Sequence, residues 1–318
     1  MATRAAHVQA NAELNGRVTG PRGGLRRLLG PDYRLGYLFV VPAAVLVLAL
    51  VAYPFGYAIY LSMTRKYVGV PPVWVGLENY VKLTFDGFFQ RAVANSFIFT
   101  FGSVAVKTVL GMAMALVLTS NIRFRSFFTG VLLIPWVAPT VVTALNFLWI
   151  FDYSLGVLNY LLVRVLHILP RGVGWLSEPG TAMASVIAVN IWRGFPFFGI
   201  SFLAGMKGIP AELYEAAAVD GAGAVRRFRY VTLPGLRNIV IIVLLLSTIW
   251  TFNDFGIVYI LTKGGPGGAT QVLPVFTYEM AFGAQRLGEA VAVALYMLPA
   301  LAFVIIVLAR YMRRSRTA

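Results

Sequence analysis

Long apolar runs separated by short polar interruptions organise this chain. A bilayer core needs about 20 apolar residues of helix. Six runs reach that length, at approximately 36–63, 92–119, 127–150, 181–206, 239–261 and 288–311. The first run, from Leu35 to Met63, is far longer than the apolar segment of a signal peptide and predicts an uncleaved span. In the third connection, "SLGVLNYLLVRVLHIL" is apolar but holds only about 16 residues, including Arg164 and His167. It predicts a helix lying on the outer membrane surface rather than a seventh span. His167 has no metal-ligand companion and reads as an interfacial residue.

Between the fourth and fifth runs, "AELYEAAAVDGAG" (211–223) interrupts the apolar pattern with acids and alanines. Pro210 suits the first turn of a helix, where its missing N–H is harmless. Glu212 complements the helix dipole, and Asp220-Gly221 stops the helix because glycine adopts a left-handed closing conformation. Leu213, Ala216, Ala217 and Asp220 recur on one face, with Glu212, Glu215 and Val219 beside them. A helix of about ten residues is too short to be stable alone. Either it is an ordinary surface-loop helix, or another backbone docks against its alanines. A second short helix, "AVRRFRYVT", is expected next, with Leu233-Pro234 opening the fifth span.

Composition agrees with the apolar runs. The chain of 318 residues is 59% apolar and 12% charged, with a mean hydropathy of +0.77. Soluble domains carry about twice that charged fraction, so the fold class is an all-α membrane protein with six transmembrane helices. With no cysteine, disulfides and thiolate metal sites are excluded. A net charge of +15 suits either nucleic acid or basic residues gathered on one membrane face. With the N-terminus inside, 17 of the 27 Lys and Arg fall in inner segments and eight in outer loops. Lys107 and Arg193 lie within spans. That bias places both termini and 211–223 in the cytoplasm and removes the reason to invoke nucleic acid. Residues 1–34 form a basic arm, 35–312 the membrane domain and 313–318 a short tail. The chain has no GxxxxGK[ST] phosphate loop and no nucleophile–base pair, so it is expected to be neither an ATPase nor another enzyme.

"EAAAVDGAGAVRRFRYVTLP" resembles the EAA loop of ATP-binding-cassette importer permeases. Glu215, Ala216, Ala217, Gly221, Leu233 and Pro234 match that pattern, and Val231 stands where isoleucine is usual. The stretches "VGLENY", "GVLNYLL", "VNIWRGFPFF" and "YILTKGGPGGAT" extend the resemblance to the six-span carbohydrate-uptake group, which includes the larger permease of the maltose transporter. That permease has further N-terminal spans and a large external domain, whereas the first loop here is short. The resemblance implies a type I importer permease in the bacterial inner membrane. Its cytoplasmic coupling helix, within loop 208–234, would use Glu212, Leu213, Glu215, Ala216, Ala217, Asp220 and Gly221 to dock onto an ATPase. It further implies a second permease, two ATPase subunits and an extracytoplasmic substrate-binding protein. ATP and Mg would be bound by the partner ATPase, leaving no cofactor in this chain.

By the same resemblance, the solute path is lined by Asn190, Arg193, Gly194 and Phe197 on the fourth span and Ser247, Trp250, Thr251 and Asp254 on the fifth. Arg193 and Asp254 depart from the maltose pattern. Intramembrane ionisable groups usually face a bundle interior or an aqueous cavity. Either these groups pair with each other or with the partner permease and hold helices in register, or at least one of them lines the path; an unpaired Arg193 points to an acidic or phosphorylated sugar. Lys107 reads as a snorkelling or packing residue; "TKGGPGGAT" reads as a flexible turn by its Gly-Gly-Pro chemistry, and the resemblance implies that this loop faces the binding protein. An ion-coupled secondary transporter is the competing class, although no repeat relates the two halves.

Overall fold

The structure, a computed structural model, describes residues 33–120 and 123–314. Most of the expected basic arm and the last residues of the tail lie outside the described residues. The chain divides into two units, Met1–Ala58 and Ile59–Ala318. In the first, α1 (Tyr33–Val47) passes through a π turn at Leu48–Ala52 into α2 (Tyr53–Ser62), whose last residues belong to the second unit. The stretch Leu38–Ser62 is long and apolar enough to cross a membrane.

The second unit is built around α4 (Gly87–Thr119), preceded by a two-stranded hairpin, β1 (Thr64–Arg65) and β2 (Val73–Trp74), and by α3 (Glu78–Phe85). Asp86 starts α4 by accepting a hydrogen bond from the Phe89 N–H at 2.9 Å, an N-cap. Phe89, Phe99 and Met114 on α4 enter three successive apolar clusters, so this one helix runs through the whole core. α8 (Pro179–Lys207) packs along it. Glycines set their spacing: a Cβ on Gly111 would come within 2.3 Å of Phe198 Cβ, and one on Gly199 within 2.3 Å of Met114 Sδ. Small residues at helix crossings let backbones approach where lipid offers no hydrophobic drive to association.

Two expected spans are broken. The third is α5 (Arg125–Val137) and α6 (Thr140–Ile150), bent by 93°. Between them Pro139 forces Ala138 out of the helical region, to φ −62° and ψ 133°. The fifth begins earlier than expected, because Ala224–Phe252 is one continuous helical stretch. It consists of α10 (Ala224–Arg227), a π turn at Phe228–Thr232 and α11 (Leu233–Phe252). The widened turn carries Pro234 without a break, since Leu233 stays helical and its N–H reaches back to the Phe228 carbonyl. At its far end the helix stops at Phe252, and α12 (Gly256–Thr262) follows after a short interruption. In the third connection, α7 (Val157–Asn159) runs into a π turn at Tyr160–Val165, and His167 is exposed.

The glycine-rich segment after α12 is anchored rather than a free turn. Gly264, Gly267 and Gly268 have positive φ, which side-chain-bearing residues rarely adopt. Three carbonyls of the segment are held from α4: Arg91 donates to Gly267 O at 3.0 Å, and Asn95 Nδ2 to Gly268 O at 2.9 Å and Gln271 O at 3.1 Å. Ser96 Oγ accepts from the Leu273 N–H, at the start of α13 (Leu273–Tyr278). The last span is α14 (Leu287–Arg314), which carries the helix into the expected tail.

Replacing Gly111 by Ala should destabilise the folded protein by about 1–3 kcal/mol, the usual penalty of overpacking. Gly180→Ala, where the added Cβ meets nothing within 4 Å, should be close to neutral. Thermal unfolding of both variants in detergent checks this; equal midpoints would count against α4–α8 close packing.

Candidate functional site: a charged cavity and an exposed short helix

The spacing Asn190, Arg193, Gly194, Phe197 places these residues on one face of α8, and Ser247, Trp250, Thr251, Asp254 repeats it along α11 and just beyond. The two faces meet. All of these residues line a single cavity of about 70 Å³, together with Lys107 of α4 and Trp136 of α5.

The break after α11 creates the polar centre. Asp254 Oδ1 accepts from the Ile257 N–H at 3.2 Å, so the carboxylate satisfies a backbone donor at the start of α12. Its Oδ2 accepts from Asn190 Nδ2 at 2.9 Å, tying the interruption to α8. Lys107 does not snorkel. Only 4% of it is exposed, and its ammonium donates to Thr251 Oγ1 at 3.1 Å. Gly194 makes this possible, because a Cβ there would lie 2.5 Å from Lys107 Cε. Arg193 and Asp254 do not form an ion pair; among the described residues the salt bridges join Glu78 to Arg65 and Lys82, and Arg286 to Glu289. Two buried polar atoms in the cavity region, Arg193 Nε and Asn190 Oδ1, have no hydrogen-bond partner. Aromatic rings form the remaining wall, with Phe197 between Trp136 (centroids 6.1 Å apart) and Trp250 (5.1 Å).

Sequence reasoning missed Lys107 and Trp136 as cavity residues. Lys107 had a readable signal: Thr100, Ser103, Lys107 and Gly111 form a polar and small stripe at helical spacing, all of it buried. For Trp136 there was none, since its position depends on where the bend at Pro139 sends α5.

The acid–alanine segment forms α9 (Ala211–Val219). Pro210 is its N-cap, one position before the first turn where it was expected. At the other end Ala222 N–H bonds Ala217 O at 2.8 Å and Gly221 N–H bonds Ala218 O at 3.0 Å, a Schellman closure with Gly221 at φ +73°. No residue of α9 is buried. Glu212, Leu213, Glu215, Ala216 and Asp220 are exposed and Ala217 is half-buried. The helix is held from behind by the Tyr214 hydroxyl, 3.0 Å from Thr232 Oγ1.

Comparison with known proteins agrees with this architecture. Residues 107–317 match the family model described as the binding-protein-dependent transport system inner membrane component. The trehalose/maltose transport system permease protein MalF of Thermococcus litoralis is 34% identical over 87% of this chain and 93% of the relative. The sulfoquinovosyl glycerol transport system permease protein SmoG of Agrobacterium fabrum is 34% identical over 90% of this chain and 92% of its own length. Among solved structures, a chain of a bacterial ABC transporter involved in import of the acidic polysaccharide alginate superposes with a TM-score of 0.76 at 22% identity, covering 92% of this chain and 99% of that one. Such permeases carry out transport, and ATP hydrolysis belongs to a separate subunit. With its broken spans, central cavity and exposed short helix, the chain belongs to the family of inner-membrane components of binding-protein-dependent transport systems, as an ABC importer permease of type I fold.

Proposed function

We propose that this permease pairs with a second one to form the translocation path of an ATP-driven importer for a sugar or a related polar solute. Two ATPase subunits, which bind ATP and Mg, lie on the cytoplasmic side, and a substrate-binding protein delivers solute from outside. The observation that carries the reading is α9: a helix of nine residues with none buried, closed by a Schellman motif and tethered at Tyr214. So short a helix is unstable in isolation, and its exposed alanines and acids suit a partner's cleft. Both termini and α9 are assigned to the cytoplasm by the bias of basic residues.

Closure of the ATPase dimer moves α9. That movement passes through Tyr214 and Thr232 into the continuous helix 224–252, which carries Ser247, Trp250 and Thr251 of the cavity. The path alternates between outward- and inward-facing forms, and hydrolysis resets it. The relatives' names, trehalose/maltose and sulfoquinovosyl glycerol permeases, support a glycosidic solute. The aromatic wall fits the apolar face of a sugar ring, and the amide, hydroxyl and carboxylate groups fit its hydroxyls. An ion-coupled transporter has no observation in its favour.

Glu215→Lys should leave the permease folded in the membrane but reduce ATPase recovery in a pull-down by about tenfold or more, since a reversed charge in a docked interface costs several kcal/mol. Undiminished recovery with undiminished uptake would sink the docking role. Trp250→Ala should lower uptake at limiting solute by about tenfold, the scale of losing a tryptophan anchor. Transport assays paired with quantitation of the assembled complex read this; an equal loss of both would make Trp250 a subunit-packing residue instead.

A further inference from the structure

The cavity is electrostatically unbalanced. Arg193 and Lys107 both line it, against the single carboxylate of Asp254. Neither cation is paired: among the described residues no carboxylate oxygen lies within 4.0 Å of an Arg193 or Lys107 nitrogen. Asp254 is already engaged on both oxygens, by the Asn190 amide and the Ile257 N–H. Arg193 Nε is buried with no acceptor. Lys107, an ammonium with three donors, uses one on Thr251. The cavity therefore holds unused donor capacity and one more positive charge than its single carboxylate offsets.

The lining of the cavity narrows the choice. Its cations, Lys107 and Arg193, and its hydrogen-bonding groups share one cavity with the aromatic rings of Trp136, Phe197 and Trp250. Trp136 and Trp250 are 47% and 53% exposed and available to a larger apolar or sugar body.

We propose that the cavity is an anion subsite: the solute carries a carboxylate, sulfonate or phosphate group that seats between Arg193 and Lys107 while its body stacks on Trp136, Phe197 and Trp250. This rests on the importer reading and names its substrate class. A guanidinium fork receives such groups through paired hydrogen bonds, and an ammonium adds a point charge. Asp254 offsets one cation, so the anion is held weakly enough to leave, as a conducting site requires. Gly194 belongs to the same device, because only an absent side chain leaves Lys107 its course into the cavity.

Cells carrying the complete importer, and cells lacking only this chain, are given one mixture of matched neutral, amino, uronic-acid, sulfonated and phosphorylated sugars with glycerol and glycerol phosphate. Mass spectrometry reads which solutes leave the medium only when the chain is present, and the acidic members separate the three anion types. Depletion of acidic members is expected, falling by about tenfold or more in Arg193→Gln and in Lys107→Met, the scale of a lost charged hydrogen bond. Arg193→Lys should retain part of it, since the charge stays and the fork is lost. Recovery of the complex with its ATPase, measured on the same variants, reports folding and assembly. If no acidic member is depleted, or if both variants deplete acids undiminished, the anion subsite is overturned. If no ATPase accompanies the wild-type chain, the importer reading falls, and the charge of the depleted solutes still decides the subsite.

Discussion

Close approach of α4 and α8 is the constraint on which the rest depends. In a bilayer, packing and polar contacts rather than water-driven burial hold helices together. Gly111 and Gly199 bring the two backbones into contact, and Gly194 continues that seam to Lys107. The same geometry that cements the bundle thus delivers a lysine to its centre. A side chain at any of these glycines would clash with its neighbour across the seam.

A second constraint is that every backbone group at membrane depth needs a partner. The breaks in the spans meet it locally. Asp254 accepts from the backbone where the fifth span stops. Upstream, the π turn at Phe228–Thr232 reroutes hydrogen bonds around Pro234 and keeps 224–252 continuous. One helical rod therefore joins the neighbourhood of α9 to the cavity, and the Tyr214–Thr232 contact helps couple α9 to it. The glycine-rich segment 264–271 is fastened to α4 by Arg91 and Asn95, so both ends of the working helices bear on the same scaffold.

Electrostatics give the site its character. An arginine or lysine near a helix centre costs about 2.5–3.5 kcal/mol on insertion scales, and this chain retains two beside one carboxylate. A merely structural role would be expected to spend that charge in an ion pair. Instead Asp254 binds an amide and a backbone N–H, and the cations face the cavity.

The two residue sets on the fourth and fifth spans were implied by the family resemblance; by itself the sequence determined the membrane class, the number of apolar runs and the acid–alanine helix with its Gly221 stop. These follow from local chemistry: hydropathy, turn residues and helical periodicity are properties of neighbouring positions. It did not determine the bend at Pro139, since prolines inside spans sometimes kink and sometimes, as at Pro234, are absorbed. Nor did it determine the place of Lys107 or Trp136. Those depend on which helix faces which: the polar and small stripe of α4 marks the face that holds Lys107, but not which glycine the lysine crosses or which cavity it enters. Only the tertiary structure decided that, because the missing side chain at Gly194 lies 87 residues away from the lysine it accommodates.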